Sequence, residues 1–397
     1  MTARKKLLLG LAILLVLVLV GGWLYYALYL STNSAIQRAE AYIFRRMTVA
    51  QLGDQNVYRY FVASNREIEN PEAPPDQIRG SQRSKKLRFV SFDTEIEPSV
   101  GLGMLLNPTD WFQNEAIQLR DPVELDRAEF VADLREMVSQ SPHQGLLLVV
   151  HGFREAFPSA LRKTAFLGHV LDINAPVLLF DWPGNQGSTP AGYRRAHGIA
   201  GESGAELAQL LDLVVREVQP QRLWLWANSM GGEVVTSAFD ILYEQGEWAD
   251  DELEIENVML TAPDVAADAF DAIFKQKIAA LTENLTVYIS SNDRALIMSR
   301  IINRGERRQG ESTLSLNQLM EAERVLEMTA ADDDRITLVD VTPVNRTRNF
   351  HNFSLETPEF FDDMFLRLMN EDMPDSRLIY QVRTADGKAY WVLTRGR

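Results

Sequence analysis

The sequence contains no cysteine, which excludes disulfides, thiolate nucleophiles and cysteine metal sites. Basic residues are fewer than acidic ones: 40 Lys and Arg stand against 55 Asp and Glu, giving a formal net charge of −15. No basic stripe interleaved with aromatic residues is present either, so we expect no nucleic acid partner. Histidine is scarce, with five in 397 residues, and this limits the side chains that could act as a general base near neutral pH.

One long uncharged run stands near the N-terminus, from Leu7 to Leu30, after Arg4, Lys5 and Lys6. A bilayer core needs roughly 20 apolar residues as a helix, and the aromatic residues late in this run are typical of a membrane interface. The run predicts one uncleaved transmembrane helix. A cleaved signal peptide is the alternative, but its apolar region is about 7–15 residues long and Asn33-Ser34-Ala35 is a poor cleavage site.

The charges that flank this run predict its orientation. Positive residues next to a span are retained on the cytoplasmic side, and Arg4, Lys5 and Lys6 lie directly before it. We expect a single-pass protein of the inner (cytoplasmic) membrane whose large domain is extracytoplasmic, periplasmic in a Gram-negative cell.

The rest of the chain reads as one large α/β unit with extensions. From Gln144 onward, short apolar strands alternate with helical patterns, which is typical of a parallel sheet covered by helices on both faces. The fold class is therefore a doubly wound, mostly parallel α/β fold. The predicted segments are a membrane anchor (1–31), a helical stalk (32–56), N-terminal strands and a linker (57–143), a catalytic core (144–368) and a C-terminal extension (369–397).

Ser229 follows the apolar strand pattern "RLWLWAN" and precedes "MGGEVV", which begins a helical pattern. A serine on a glycine-rich turn between a strand and a helix is typical of a nucleophile elbow. The alternative is a serine that only caps an ordinary helix. A nucleophilic serine also needs a base that removes its proton and an acid that orients the base.

Of the five histidines, His351 is the best placed to be that base. It stands on a loop after the late strand pattern "RITLVDV" and before a helix, free to reach the serine. His143 lies in a polar loop and His169 in a helical pattern. His197 lies in a long predicted loop, 183–203, which together with the charged insertion 303–334 is expected to shape the pocket. His151 ends the strand pattern "GLLLVVH" and suits an oxyanion loop better than proton transfer.

Two aspartates at the ends of predicted strands could orient the histidine: Asp293 ends "LTVYISSND" and Asp264 ends "VMLTAPD". Turn or helix-capping chemistry is the alternative for each. With Asp293, the chain order Ser229, Asp293, His351 is the serine, acid, histidine order of α/β-hydrolases. Asp293 is the preferred acid and Asp264 the alternative.

The segments "VVHGF", "FDWPG", "ANSMGG", "LTAPDV", "SSNDRAL" and "FHNF" resemble a bacterial branch of α/β-hydrolases of unknown function, over residues 57–368. The resemblance implies an α/β-hydrolase fold and a triad at Ser229, Asp293 and His351. Three positions depart from the pattern of that branch. Ala227 replaces the first glycine of Gly-x-Ser-x-Gly, Asn228 stands where histidine is usual, and Phe350-His351-Asn352 replaces Gly-His-Ser.

These residues predict a serine hydrolase of the carboxylesterase or lipase kind, which cleaves an ester or related acyl bond through an acyl-enzyme. The backbone N–H groups of Met230 and Phe153 are the expected oxyanion donors. No metal or other cofactor is expected, and the expected partner is a small-molecule or lipid-like ester. The alternative is an inactive domain of the same fold that binds a partner in the cell envelope. No motif indicates the acyl length or the oligomeric state.

Overall fold

The computed structural model describes most of the α/β unit and the N-terminal helix. The described residues are 3–25, 48–53, 56–74, 77–96, 117–120, 122–171, 173–248, 254–265, 277, 280–290, 335–345, 353–369, 379–383 and 389–394. The described helices are α1 (Ala3–Tyr25), α2 (Arg127–Gln140), α3 (Phe157–Leu171), α4 (Pro190–Leu213, continued by a π turn at Val214–Val218), α5 (Gly231–Tyr243), α6 (Phe353–Glu356) and α7 (Pro358–Leu368).

Twelve described strands form one sheet. They are β1 (Val57–Ile68), β2 (Arg79–Ile96), β3 (Ile117–Leu119), β4 (Val123–Leu125), β5 (Gly145–Val150), β6 (Val177–Asp181), β7 (Arg222–Asn228), β8 (Ile255–Thr261), β9 (Thr282–Ile289), β10 (Ile336–Asp340), β11 (Ile379–Arg383) and β12 (Ala389–Leu393). Their order is β11-β12-β10-β9-β8-β7-β5-β6-β1-β2-β3, and β4 also pairs with β2.

The sheet is parallel from β12 through β10, β9, β8, β7, β5 and β6 to β1. Strands β2 and β11 add antiparallel pairs at its two sides. Every residue of β5, β6 and β8 is buried, as expected for parallel strands that helices cover on both faces. The prediction of a doubly wound, mostly parallel α/β fold is therefore confirmed.

The chain reverses its direction across the sheet after β6. Strand β6 lies on one side of β5, whereas β7 lies on the other. Because parallel crossovers are right-handed, α3 and α4 lie on opposite faces of the sheet. In open α/β sheets, the carboxyl ends of the two strands at such a reversal, here β5 and β7, are where ligands generally bind.

The prediction that residues 183–203 form a loop is wrong, because helix α4 begins at Pro190 and contains His197. The Thr189 hydroxyl accepts a hydrogen bond from the Gly192 N–H at 3.0 Å, and Pro190 at the first helical position already has a helical φ. A Cβ on Gly204 would lie 2.5 Å from Cβ of Ser237 on α5, so the two helices approach closely there.

Helix α1 exposes its described apolar side chains, among them Leu11, Leu15 and Leu19. Taken over the side chains that the structure describes, no helix is long and apolar enough to cross a membrane. Most of the predicted stalk and the whole insertion 303–334 lie outside the described residues. The predicted domain boundaries stay predictions.

Candidate active site

Ser229 lies in a strained turn between β7 and α5. Its φ is +53°, which a non-glycine residue rarely adopts. The Ser229 N–H donates to Thr261 O at 2.8 Å, and its carbonyl oxygen accepts from Gly232 N (2.9 Å) and Asp264 N (3.1 Å). Such strain costs about 1–3 kcal/mol and persists only where the surroundings fix the backbone. These bonds fix the geometry that an elbow requires.

The loop after β5 packs directly on this serine. A Cβ on Gly152 would lie 3.1 Å from Ser229 Cβ and 3.0 Å from Asn228 O, so a larger residue would push the two segments apart. Strands β5 and β7 are adjacent and parallel, with Val150 opposite Ala227, so both chains leave the sheet at the same edge. The structure thus brings together the predicted oxyanion loop and the predicted nucleophile.

The two predicted oxyanion donors lie on the two segments that meet where Gly152 packs on Ser229. Met230 is buried and directly precedes α5, while Phe153 follows Gly152. Among the described residues, neither the Met230 N–H nor the Phe153 N–H has an acceptor. The Phe153 ring packs edge-on against Tyr193 of α4, with the centroids 5.6 Å apart. Both amides therefore remain available to bind an oxyanion.

The His151 ring contacts the loops that follow β5 and β6 through both of its nitrogens. Its Nδ1 lies 2.9 Å from Gly152 O, and its Nε2 lies 3.2 Å from both Asp181 Oδ1 and the Trp182 N–H. The ring stacks on Trp182 with an interplanar angle of 7°. Both ring nitrogens are occupied, so this arrangement fits the interpretation that His151 shapes the oxyanion loop.

A buried ion pair that the sequence does not predict lies beneath this loop. Arg66 and Asp181 are both 0% exposed, and Arg66 Nε lies 2.9 Å from Asp181 Oδ1. The remaining guanidinium N–H groups donate to Gly80 O, Glu155 O, Trp182 O and Asn185 Oδ1 at 2.6–3.1 Å. Arg66 thereby joins β1 and β2 to the loops that follow β5 and β6.

The charge of Asp181 is strongly stabilised by its partners. Burial by itself raises the pKa of this carboxyl, but Arg66, His151 and the Ser64 hydroxyl favour the ionised form and lower the pKa from 3.8 to about 2. Asp181 ends β6, so the rule that polar residues at strand ends form sites could have found it. No local signal indicates Arg66, because β1 also contains Arg59, Asn65 and Glu67.

Asp264, the alternative acid, is bonded to the nucleophile turn through its backbone, while one of its carboxylate oxygens bonds to Tyr193 of α4. Its backbone N–H donates to Ser229 O, and its Oδ2 accepts a hydrogen bond from Tyr193 OH at 2.5 Å. The side chain is buried, with 2% of its surface exposed.

The preferred acid Asp293 and the base His351 lie outside the described residues. The strands that precede them are described: β9 and β10 follow β8 in the sheet, parallel to it, so their carboxyl ends open at the edge where Ser229 lies. Helix α6 begins at Phe353, two residues after His351.

Asn228, the residue before the nucleophile, connects three segments of the site. Its Oδ1 accepts hydrogen bonds from Thr261 Oγ1 of β8 and from Ser354 Oγ of α6, both at 3.0 Å. The segment that follows His351 is therefore in direct contact with the elbow.

The other three histidines belong to other elements of the fold. His143 occupies the turn before β5, and His169 lies in α3 with its ring 6.1 Å from that of Tyr58. His197 of α4 has Nε2 at 3.8 Å from Glu233 Oε2. Within the described part of the chain, no group of three or more His, Asp or Glu side chains could hold a metal ion.

A family profile described as alpha/beta hydrolase of unknown function (DUF900) matches residues 126–364, which include Ser229 and all the candidate partners named above. The chain belongs to this α/β-hydrolase family. The resemblance inferred from the sequence motifs is thereby confirmed. No curated protein matches the sequence.

Solved structures of esterases are similar to this hydrolase at low identity. They include a cold-adapted esterase from an Arctic intertidal metagenomic library (11% identity, 80% of this chain and 97% of that chain, TM-score 0.36) and the Pyrococcus furiosus esterase Pf2001 (12% identity, 56% and 80%, TM-score 0.33). A third is the esterase Est2 of Thermogutta terrifontis (10% identity, 56% and 83%, TM-score 0.31). At these scores the similarities support no statement about substrate or mechanism.

Proposed function

We propose that this α/β-hydrolase is a serine hydrolase that cleaves an ester or related acyl bond through Ser229, Asp293 and His351. The observation that carries the proposal is the elbow itself. A serine at φ +53° between a parallel strand and a helix, with Gly152 of the preceding loop packed on its Cβ, has the geometry that nucleophilic attack requires.

The chemistry follows from the roles of these groups. His351 takes the proton of Ser229 Oγ as the oxygen attacks the substrate carbonyl, and the tetrahedral intermediate collapses when His351 returns that proton to the leaving alcohol. Asp293 orients the imidazole and stabilises its positive charge. Water then attacks the acyl-enzyme with the same histidine as base, which releases the acid and restores the serine.

The oxyanion of the intermediate is assigned to the amides of Met230 and Phe153. Both lack an acceptor among the described residues, and Gly152 brings their two segments into contact. Donors that are fixed before the reaction stabilise the developing charge without reorganisation. The arrangement of Arg66, Asp181 and His151 beneath the loop supports this assignment, because it fixes the loop backbone.

The test compares Ser229→Ala with Ser141→Ala, using a fluorophosphonate probe and a p-nitrophenyl ester. Ser141 is a matched control, since its buried hydroxyl donates to Asn174 O at the opposite end of β5. Ser229→Ala should lose all labelling and on the order of 10⁴ to 10⁶ in turnover, while Ser141→Ala keeps both. Full esterase activity in a folded Ser229→Ala protein contradicts the proposal. An unlabelled wild-type protein supports the inactive binding domain instead.

The substrate is proposed to be a small-molecule or lipid-like ester. A series of p-nitrophenyl esters of increasing acyl length, assayed on the full chain in detergent, would define the class. A kcat/KM that rises to long chains indicates a lipid-like substrate, and one that peaks at two to four carbons, roughly, indicates a small ester.

We further propose that Leu7–Leu30 anchors the protein in the inner membrane with the hydrolase domain outside. The support is the uncharged run after Arg4, Lys5 and Lys6, together with the exposed apolar side chains of α1. Protease added to spheroplasts should digest the hydrolase domain, and the intact protein should resist extraction by carbonate. Protection of the domain until lysis contradicts the orientation, and a soluble protein beginning near Ile36 indicates cleavage.

A further inference from the structure

We infer that Asn228 and Ser354 form a positioning pair that holds the segment bearing the general base onto the nucleophile elbow. The inference rests on the proposed function, because it assigns this pair a role in placing His351 relative to Ser229. It concerns contacts between described residues only: the Asn228 amide, the Ser354 hydroxyl and their neighbours.

Asn228 connects three elements, β7, β8 and α6. Its backbone ends β7, and its Oδ1 accepts from Thr261 Oγ1 on the neighbouring strand and from Ser354 Oγ on α6, each at 3.0 Å. The bond from Thr261 of β8 orients the Asn228 side chain, and the oriented Oδ1 accepts the bond from Ser354 of α6. Any displacement of α6 by more than a few tenths of an ångström stretches the Ser354 bond.

Helix α6 is short, and its three described side chains, Phe353, Ser354 and Leu355, are buried, with Ser354 as the polar one. It contains four residues, too few for a stable isolated helix. Phe353 is buried and packs edge-on against Phe360 of α7 at 5.9 Å, which is a non-directional apolar contact. Ser354 is also completely buried, and Asn228 is its hydrogen-bond partner within the described part of the chain.

That buried hydroxyl gives the contact its directionality. A buried polar group left without a partner costs about 1–3 kcal/mol, so α6 is held in the register that satisfies Ser354. A chain spans at most about 3.6 Å per residue, so the three residues from His351 to Ser354 span at most about 11 Å. Fixing Ser354 on Asn228 therefore restricts how far the base can lie from the serine next to Asn228.

The experiment is a double-mutant cycle on the full-length protein in detergent, with Asn228→Ala, Ser354→Ala, the double variant, Ser354→Thr and the control Ser141→Ala. Each is assayed for kcat, KM, the rate of fluorophosphonate labelling and thermal unfolding. Misplacement of a catalytic group by about 1 Å costs on the order of 10²-fold in rate. Ser354→Ala and Asn228→Ala should each lower kcat and the labelling rate by about 10- to 100-fold, with KM unchanged within about twofold.

The cycle and the rescue separate positioning from general stability. The double variant should lose no more than either single variant, because both remove one interaction. Ser354→Thr, which keeps the hydroxyl, should regain most of the rate, and Ser141→Ala should keep wild-type kcat although it also removes a buried hydroxyl.

Wild-type kcat in Ser354→Ala overturns the inference while the proposed function stands. So do equal kcat losses in Ser354→Ala and Ser141→Ala, or losses that multiply in the double variant. If the wild-type protein neither reacts with the probe nor hydrolyses esters, the proposed function fails, and the inference fails with it.

Discussion

Two buried aspartates lie on either side of the nucleophile elbow, Asp181 at the end of β6 and Asp264 after β8. They differ in the partners of their carboxylates. Asp181 ends β6 and is neutralised by Arg66 at 2.9 Å, with His151 as a further neighbour. Asp264 follows β8 and receives a hydrogen bond from a neutral phenol, Tyr193. The β6 side therefore contains a buried ion pair, whereas the carboxylate on the β8 side accepts a hydrogen bond from an uncharged hydroxyl.

This difference separates the tasks of the two sides. The Arg66 guanidinium fixes the backbones of the β5 and β6 loops through Glu155 O and Trp182 O, so Asp181 serves the oxyanion loop. Asp264 is tied to Ser229 through its backbone, so it supports the elbow. The orienting acid is then expected one strand further on, after β9, where Asp293 stands.

The largest effect expected concerns the acid itself. Asp293→Asn should lower kcat by about 10⁴-fold, since an amide no longer stabilises the imidazolium or its tautomer. Asp264→Asn should cost far less, because its carboxylate is engaged by Tyr193. Steady-state kinetics on both variants, with circular dichroism to verify folding, make the comparison. A larger loss in Asp264→Asn transfers the role to that residue.

Removal of the buried cation should have the next largest effect. Arg66→Met leaves the Asp181 charge buried without its partner and should lower the free energy of unfolding by about 3–5 kcal/mol in urea denaturation. Arg59→Met is the matched control on the same strand. Arg59 is 36% exposed and pairs with Asp93 at the surface, so its loss should cost below about 1 kcal/mol. Equal losses in the two variants contradict the assigned role of Arg66.

The ionisation of Asp181 predicts a specific acid sensitivity. Its folded-state pKa of about 2 is below the ordinary 3.8, so its contribution to stability is present above about pH 4 and is lost as the pH falls through about 2. The shift corresponds to roughly 2 kcal/mol. Between pH 4 and pH 2, stability should therefore fall less steeply in Asp181→Asn than in the wild type. Parallel urea midpoints across this range count against the assignment.

The smallest effect is expected from Tyr193, the residue of α4 whose hydroxyl donates to Asp264. Tyr193→Phe removes one hydrogen bond to the buried Asp264 carboxylate and should cost about 1–3 kcal/mol of stability, with kcat reduced less than about tenfold. Tyr60→Phe, which removes a buried phenol bond to Ala165 O, is the control for the loss of a hydroxyl alone. A loss of turnover near that of Asp293→Asn would show that Tyr193 and Asp264 belong to the reaction centre.

Much of the fold was predictable because short apolar runs in the sequence coincide with strands. The pattern "VYRYFVASNREI" coincides with β1, and the apolar runs at β5, β6, β7, β8, β9 and β10 are strands. The loop predicted over 183–203 overlooks the helix start signal at Thr189 and Pro190, where α4 begins. The C-terminal strands β11 and β12 were not anticipated, since they are short and depend on non-local pairing of β12 with β10 and on pairing with each other.

The site divides in the same way. Ser229, Met230, Phe153 and Asp264 follow strands directly, and strand ends are visible in a sequence. The bond between Arg66 and Asp181 joins residues 115 positions apart, and no local pattern encodes such a pair. The contact of Ser354 with Asn228 spans 126 positions and was invisible for the same reason.

The position of β1 also determines when the protein can fold during its synthesis. The hairpin of β1 and β2 forms from neighbouring sequence, but β1 takes its place in the parallel sheet only by pairing with β6, where Ala63 lies opposite Phe180. At about 5–20 residues per second, the separation of 180 − 63 = 117 residues delays this pairing by roughly 6 to 23 s. Until then one edge of β1 remains open to other strands. We therefore expect the pairing of β6 with the β1–β2 hairpin to be the slow step of folding, because pairing between strands far apart in sequence is generally slow.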